Sequence, residues 1–320
     1  MVEGLLLPGT LALLYGLSNV GKSFIAMSLA ACVARGWPWL GRSVVRGAVV
    51  YVALEGGVSL RNRVAILKRL NILVDDTPLH VIENWRGFGD DDEAEKLIKT
   101  LRTVNDLSLV VIDTLSRAMA GYDENSGADM MAIVGGLDRI RRETGACVLV
   151  VHHSGKDTKQ GARGHSSLLC AVDTEIRVSR AKDDGALIEI NATKQRDLPT
   201  GPVGVCRLRS MPLGYDGLGE QVFSCVVVDA SHSHDLPKAV ALPSVVSSSN
   251  CGIPNTTASC AHLIGLLPQP STTHWQIEAE SKIKVKRQNF YGQLKIIKEK
   301  GLAIKNGKAW TSIPFGPVSS

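Results

Sequence analysis

The octapeptide "GLSNVGKS" at residues 16–23 has the types and spacing to hold a phosphate chain. It follows an apolar run, "TLALLY", and opens an apolar-periodic run from Ser23 to Ala34, so it sits between a strand and a helix. Successive backbone N–H groups of Gly16, Leu17, Ser18, Asn19, Val20, Gly21, Lys22 and Ser23, with the helix N-terminus, form a concave anion site. Glycines admit phosphate oxygens where a Cβ would block them. Lys22 would reach the β- and γ-phosphates, and the Ser23 hydroxyl would coordinate Mg²⁺. ATP with Mg²⁺ is the implied cofactor pair.

Five other stretches carry groups that suit this chemistry. "SLVVIDT" ends an apolar run on Asp113, where a carboxylate can hold Mg²⁺ through water. "VVYVALEGG" ends another on Glu55, placed to orient an attacking water or simply to begin a solvated loop. "CVLVVHHSGK" ends a third on His152 and His153. Strand alternation sends these two to opposite faces, and His153, nearer the loop, is the candidate γ-phosphate sensor. The loop beyond, "SGKDTKQGARGHSS", sets Lys156, Lys159 and Arg163 among glycines and is either a nucleic-acid contact or a solvated turn. Far downstream, "TKQRDLPTG" places Lys194 and Arg196 two apart on one strand face. Their own spacing fits a solvated basic strand end paired with Asp197 as readily as a catalytic role.

These groups need a scaffold. Residues 1–230 read as short, nearly continuous apolar strands alternating with helices, the pattern of an α/β fold with a mainly parallel sheet covered on both faces. A helix is expected near residues 58–71, and another over "ADMMAIVGGLDRIRRET". After about residue 172 the runs "TEIRVS", "ALIEINAT", "VCRLRS" and "VFSCVVV" read as antiparallel strands added to one edge. Residues 231–268, rich in Ser, Thr and Pro, read as a linker. Residues 269–316 suggest a small winged-helix-like domain. Lys286, Arg287 and Asn289 would start its groove-facing helix, and a hairpin would turn on Asn306 and Gly307.

Charge supports that division. Residues 271–320 hold nine Lys/Arg against three Glu, a balance of +6, while the whole chain carries +5. The basicity belongs to the tail and points to an anionic partner. A winged helix would make that duplex DNA, with strongly salt-dependent binding, and the alternative is a Lys-rich solvated helix pair or a protein-docking module. Seven scattered cysteines, with no C-x-x-C pair, argue against a disulfide framework and against a zinc site. No apolar run is long enough to span a membrane and no signal peptide opens the chain, so a cytoplasmic protein is expected.

Taken in order, the phosphate loop, "ALEG", "VVIDT", "VVHHSGK" and "ARGHSSLLCAVD" resemble the RecA-like P-loop NTPases of the DnaB and plasmid RepA helicase class. They are most similar to the stand-alone RepA-like (AAA_25) ATPases of phages and plasmids. The resemblance covers about residues 1–230. It implies that Glu55 is the catalytic glutamate, Asp113 the Mg²⁺-linked aspartate and His153 the γ-phosphate sensor. It also implies that Arg163, Gly164 and Ser166 contact single-stranded DNA in a central channel, although His165 interrupts the family's small residues there. "KQRDLPTGPVG" resembles the DnaB-type "KQRNGPxG", which implies that Lys194 and Arg196 act on the nucleotide held by a neighbouring subunit. A homo-oligomer, as a hexameric ring, follows from that role. "MVEGLLLPG" leads almost at once into the first strand, so ring formation would rest on the ATPase domain itself. The function implied is a replicative-type DNA helicase. The alternatives are a DNA-bound ATP switch or recombination mediator and, less compatible with "KQR", a small-molecule kinase.

Overall fold

A computed structural model describes residues 1–55, 57–89, 91–154, 162, 164–216 and 219–230, and the backbone of 303–306 and 309–312. The chain divides into two units, Met1–Leu213 with Phe223–Ala239, and Gly214–Val222 with Val240–Ser320.

The first unit is built on β1 (Leu11–Gly16), α1 (Lys22–Arg35), β2 (Ala48–Ala53), α2 (Gly57–Arg69), β3 (Leu79–Ile82), α3 (Asp91–Arg102), β4 (Leu107–Asp113), α4 (Leu115–Ala118), α5 (Gly127–Thr144), β5 (Cys147–His153), α6 (Ser166–Ala171), β6 (Thr174–Arg180) and β7 (Leu187–Gln195). Two longer strands follow, β8 (Gly201–Tyr215) and β9 (Gln221–Asp229). All nine strands join one sheet in the order β3-β2-β4-β5-β1-β6-β7-β8-β9. The central pairs β2–β4, β4–β5, β5–β1 and β1–β6 are parallel.

Strand alternation divides the core into two layers. Ala12 and Leu14 of β1 face the layer shared with α1, while Leu11, Leu13 and Tyr15 face the layer shared with α3 and α5. Every residue of β1 and β2 is buried, because helices cover both faces. The opening segment also enters this core: Val2, Leu5 and Leu6 are buried, and Val2 bridges to Val44.

The expected fold class is the observed one, with local differences. β6 runs parallel to β1, so the antiparallel extension begins at β7 rather than at "TEIRVS". The connection that contains α6 returns the chain to the starting end of the sheet, so β6 runs alongside β1 in the same direction. Edge strand β3 and helix α3 were not anticipated. The strand "LHVI" is only partly covered, so it lacks an apolar run, and α3 buries Leu97, Ile98 and Leu101 beneath a charged face. In the second unit a hairpin pairs β10 (Ala303–Asn306) with β11 (Ala309–Ser312). Asn306 is itself paired, with Ala309, and the expected turn residue Gly307 lies outside the described residues. The linker, and Lys286, Arg287 and Asn289 with their helix, lie outside the described residues.

Candidate nucleotide site

The loop after β1 has the backbone that a phosphate cradle needs. A Cβ on Gly16 would stand 2.3 Å from the Val178 carbonyl oxygen, so nothing larger fits between β1 and β6. Gly21 caps α1 at φ 102°, a conformation that L side chains rarely adopt. Between them Asn19 is left-handed at φ 62°. The loop is tied to the end of β5, where the Ser154 N–H donates to the Gly16 carbonyl at 3.0 Å.

Lys22 opens α1 and is nearly covered, with 5% of its surface exposed. Its ammonium folds back on the loop, donating to the carbonyls of Gly16 at 3.0 Å and Leu17 at 2.8 Å. Burial lowers its pKa, and the negative charges of Asp113 and Glu55 partly oppose that. His153 comes to the same place: its Nδ1 lies 3.4 Å from both the Lys22 Nζ and the Ser18 Oγ. His152, fully buried, turns the other way, to the Ser116 hydroxyl at 3.3 Å.

Asp113 ends β4 with 1% exposure. The Tyr51 hydroxyl donates to its Oδ2 at 2.6 Å. The Oδ1 is buried and accepts no hydrogen bond, although Ser23 stands close enough to act on the carboxylate. Burial raises the Asp113 pKa, against the opposing hydrogen bonds. An anionic oxygen in that position is costly unless a cation meets it. Among the described residues no three His, Cys, Asp or Glu gather to hold a metal. A cation here would therefore be held by Ser23, by Asp113 directly or through water, and by the phosphates of a bound nucleotide. Those donors are hard oxygens, which fit Mg²⁺.

Glu55 stands just past β2, and the backbone N–H groups of Leu54 and Glu55 both donate to the Asp113 carbonyl, at 2.7 and 3.3 Å. Its Oε1 accepts from the Thr114 hydroxyl at 2.9 Å and pairs with the Arg117 Nε at 3.5 Å. Arg63 of α2 stacks over Phe24 at 4.7 Å, and its charge reaches Asp113.

Lys22, Ser23, Glu55, Asp113 and His153 are thus brought together. Lys194 and Arg196 are not. Lys194 pairs across β7–β6 with Glu175, which pairs in turn with Leu13, three residues before Gly16. The Arg196 N–H bonds the Asp173 carbonyl, at the level of Leu11. At about 3.3 Å per residue these positions lie roughly 10 and 16 Å behind the loop along the strands. Their side chains meet α6 instead: Lys194 donates to the Leu169 carbonyl and Arg196 to that of Cys170 at 3.5 Å. Arg196 pairs with Asp173 at 2.9 Å, not with its neighbour Asp197. Gly164 and Ser166 lie at the start of α6, where the His165 Nδ1 accepts from the Ser167 N–H at 3.2 Å. Arg163, Lys156 and Lys159 are outside the described residues.

Tyr51, Arg63, Thr114, Arg117 and Asp173 escaped the sequence reading. Tyr51 had one signal, being the lone polar side chain in the buried strand "AVVYVA".

A glycine-bound phosphate loop, a buried strand-end carboxylate and a largely parallel sheet are the parts of a nucleotide-binding phosphate-loop domain of the α/β class. Residues 1–159 match the AAA_25 family model, described as an AAA domain. That stretch contains Lys22, Glu55, Asp113 and His153 and ends before Lys194. Among solved structures, the crystal structure of the RadB recombinase is similar at 19% identity and a TM-score of 0.46, over 63% of this chain and 88% of that chain. No helix among the described residues is long and apolar enough to cross a membrane.

Proposed function

We propose that the chain is an ATP-driven, ring-forming DNA motor of the replicative-helicase type, with each nucleotide completed by residues from two subunits. The observation that supports this reading is that Lys194 and Arg196 lie behind their own phosphate loop, so that any role at a nucleotide would have to be played across an interface. The sequence similarity of "KQRDLPTGPVG" to the DnaB-type motif supports it, as does the resemblance to RepA-like proteins of phages and plasmids.

In this mechanism residues 16–23 wrap the phosphates, and the Lys22 ammonium exchanges its two loop carbonyls for phosphate oxygens. Bound Mg²⁺ would neutralise charge on the β- and γ-oxygens. Ser23 and Asp113 hold that position. Glu55 orients a water for in-line attack, steadied through Oε1 by Thr114 and Arg117. His153, beside Lys22, registers whether a γ-phosphate is present and passes the state to the segment that follows β5. Lys194 and Arg196 of the next subunit stabilise the charge that spreads over the phosphoryl oxygens. Arg163, Gly164 and Ser166 would meet single-stranded DNA, and Lys286, Arg287 and Asn289 duplex DNA.

Mixing Arg196→Ala subunits with Glu55→Ala subunits tests the interface. Each variant alone is expected to be inactive, and the mixture to regain hydrolysis at interfaces that pair an intact Glu55 with an intact Arg196. A mixture as dead as its parts sinks the trans assignment. A fork-unwinding assay with 5′- and 3′-tailed substrates tests the motor. ATP hydrolysis and DNA binding without strand separation would assign a DNA-bound switch instead.

A further inference from the structure

We propose that Tyr51 is a positioning residue for the metal-linked carboxylate, its phenol holding Asp113 Oδ2 so that Oδ1 alone is presented to the cation. The inference rests on the assignment of Asp113 to Mg²⁺. Tyr51 is fully buried in the middle of β2, in a strand otherwise made of Val and Ala. Its ring packs in the core layer shared with α1, and its only polar side-chain atom donates to Oδ2 at 2.6 Å. The register pairs Tyr51 with Val111 and Ala53 with Asp113, so the tyrosine sits two residues behind the carboxylate on the same sheet face. A phenol reaches forward across that interval, whereas an aliphatic side chain would leave Oδ2 without this donor.

The consequence is directional. A carboxylate turns easily about its last bond, because that torsion is broad and nearly twofold. Anchoring one oxygen stops the rotation and fixes where the other points. The second oxygen is buried and accepts no hydrogen bond at contact distance, while Ser23 lies near enough to the carboxylate to act on it. The two observations are independent, one a contact made and the other a contact withheld, and together they describe a carboxylate held for a cation. Outer partners of this kind typically alter metal affinity by about 10–100-fold when removed.

The test uses full-length Tyr51→Phe and Asp113→Asn proteins, with Mn²⁺ as the spectroscopic probe. Mn²⁺ binding is measured by electron paramagnetic resonance in the presence of ADP. ADP binding in EDTA is measured alongside, because it reads the phosphate loop without metal. Tyr51→Phe keeps the ring and is expected to weaken Mn²⁺ binding by about 10-fold while leaving metal-free ADP binding unchanged. Asp113→Asn is expected to weaken Mn²⁺ binding at least as much. Unchanged Mn²⁺ affinity in Tyr51→Phe, with loss in Asp113→Asn, overturns the role of Tyr51 and leaves that of Asp113 intact. Unchanged affinity in both removes the metal assignment and the proposal with it. A Tyr51→Phe protein that loses metal-free ADP binding in equal measure would show general damage to the site, which also overturns the proposal.

Discussion

Lys22 is the residue on which the nucleotide assignment stands. It is held beneath the loop with its ammonium on two backbone carbonyls, a conformation ready to exchange them for phosphate. Lys22→Ala is expected to reduce ATP hydrolysis to background in a phosphate-release assay, and retained turnover would remove the assignment. Glu55 makes a different demand. Glu55→Gln keeps the side-chain volume and the Thr114 contact but cannot accept a proton. It should still bind ATP while kcat falls by about 10²–10⁴, the usual range for general-base catalysis. A fall in ATP affinity at unchanged kcat would contradict the role. The cysteines give a prediction independent of function. Burial pushes the thiols of Cys32, Cys147 and Cys206 up to about 12, whereas Cys170 is exposed. Among these four, mass-spectrometric mapping after brief alkylation at neutral pH should find Cys170 modified first. The raised thiols also set an alkaline limit. Their neutral form is favoured by the fold, so that contribution to stability is complete below the ordinary thiol range. It is lost as pH rises from there towards 12, which circular dichroism over that interval would detect.

At the scale of elements, Asp173 fastens the junction where α6 meets β6. Its Oδ2 accepts from the Leu11 N–H at 2.9 Å, and its Oδ1 holds Arg196 at 2.9 Å. Arg141 of α5 stands 3.6 Å from the same carboxylate. Strand, edge and helix are therefore joined at one buried group, and Asp173→Ala leaves the Leu11 N–H without its partner. A buried group so abandoned costs about 1–3 kcal/mol. Urea unfolding should show a loss of that order, and a change within error would show that water replaces the carboxylate. The same junction orients the "KQR" stretch, because Lys194 and Arg196 both clasp the C-terminal carbonyls of α6.

At the scale of the whole molecule, the sheet separates two groups of residues. Lys22, Glu55, Asp113 and His153 gather at the carboxyl ends of the parallel strands, the usual ligand edge of an α/β sheet. Lys194 and Arg196 lie near the opposite ends because β7 runs antiparallel to β6. The basic tail adds a further expectation. Removing residues 265–320 should lower duplex affinity and flatten its salt dependence while leaving basal ATP hydrolysis intact. Unchanged duplex binding would refute the tail as a DNA contact.

The sequence by itself determined what is local. The phosphate loop is one contiguous octapeptide whose glycines and lysine follow from backbone geometry, so its position could be read directly. The buried parallel strands were equally legible, because helices on both faces leave continuous apolar runs. Strand alternation likewise separates His152 from His153. Side chains meeting across the sheet were not legible. Tyr51 reaches Asp113 only because β2 lies beside β4, sixty-two positions apart in the chain. Arg196 found Asp173 rather than adjacent Asp197 because strand pairing brings distant residues level and turns sequence neighbours away. No short pattern encodes which strands become neighbours. The crossovers and the burial of both sheet faces decide it, and only the tertiary structure records that decision.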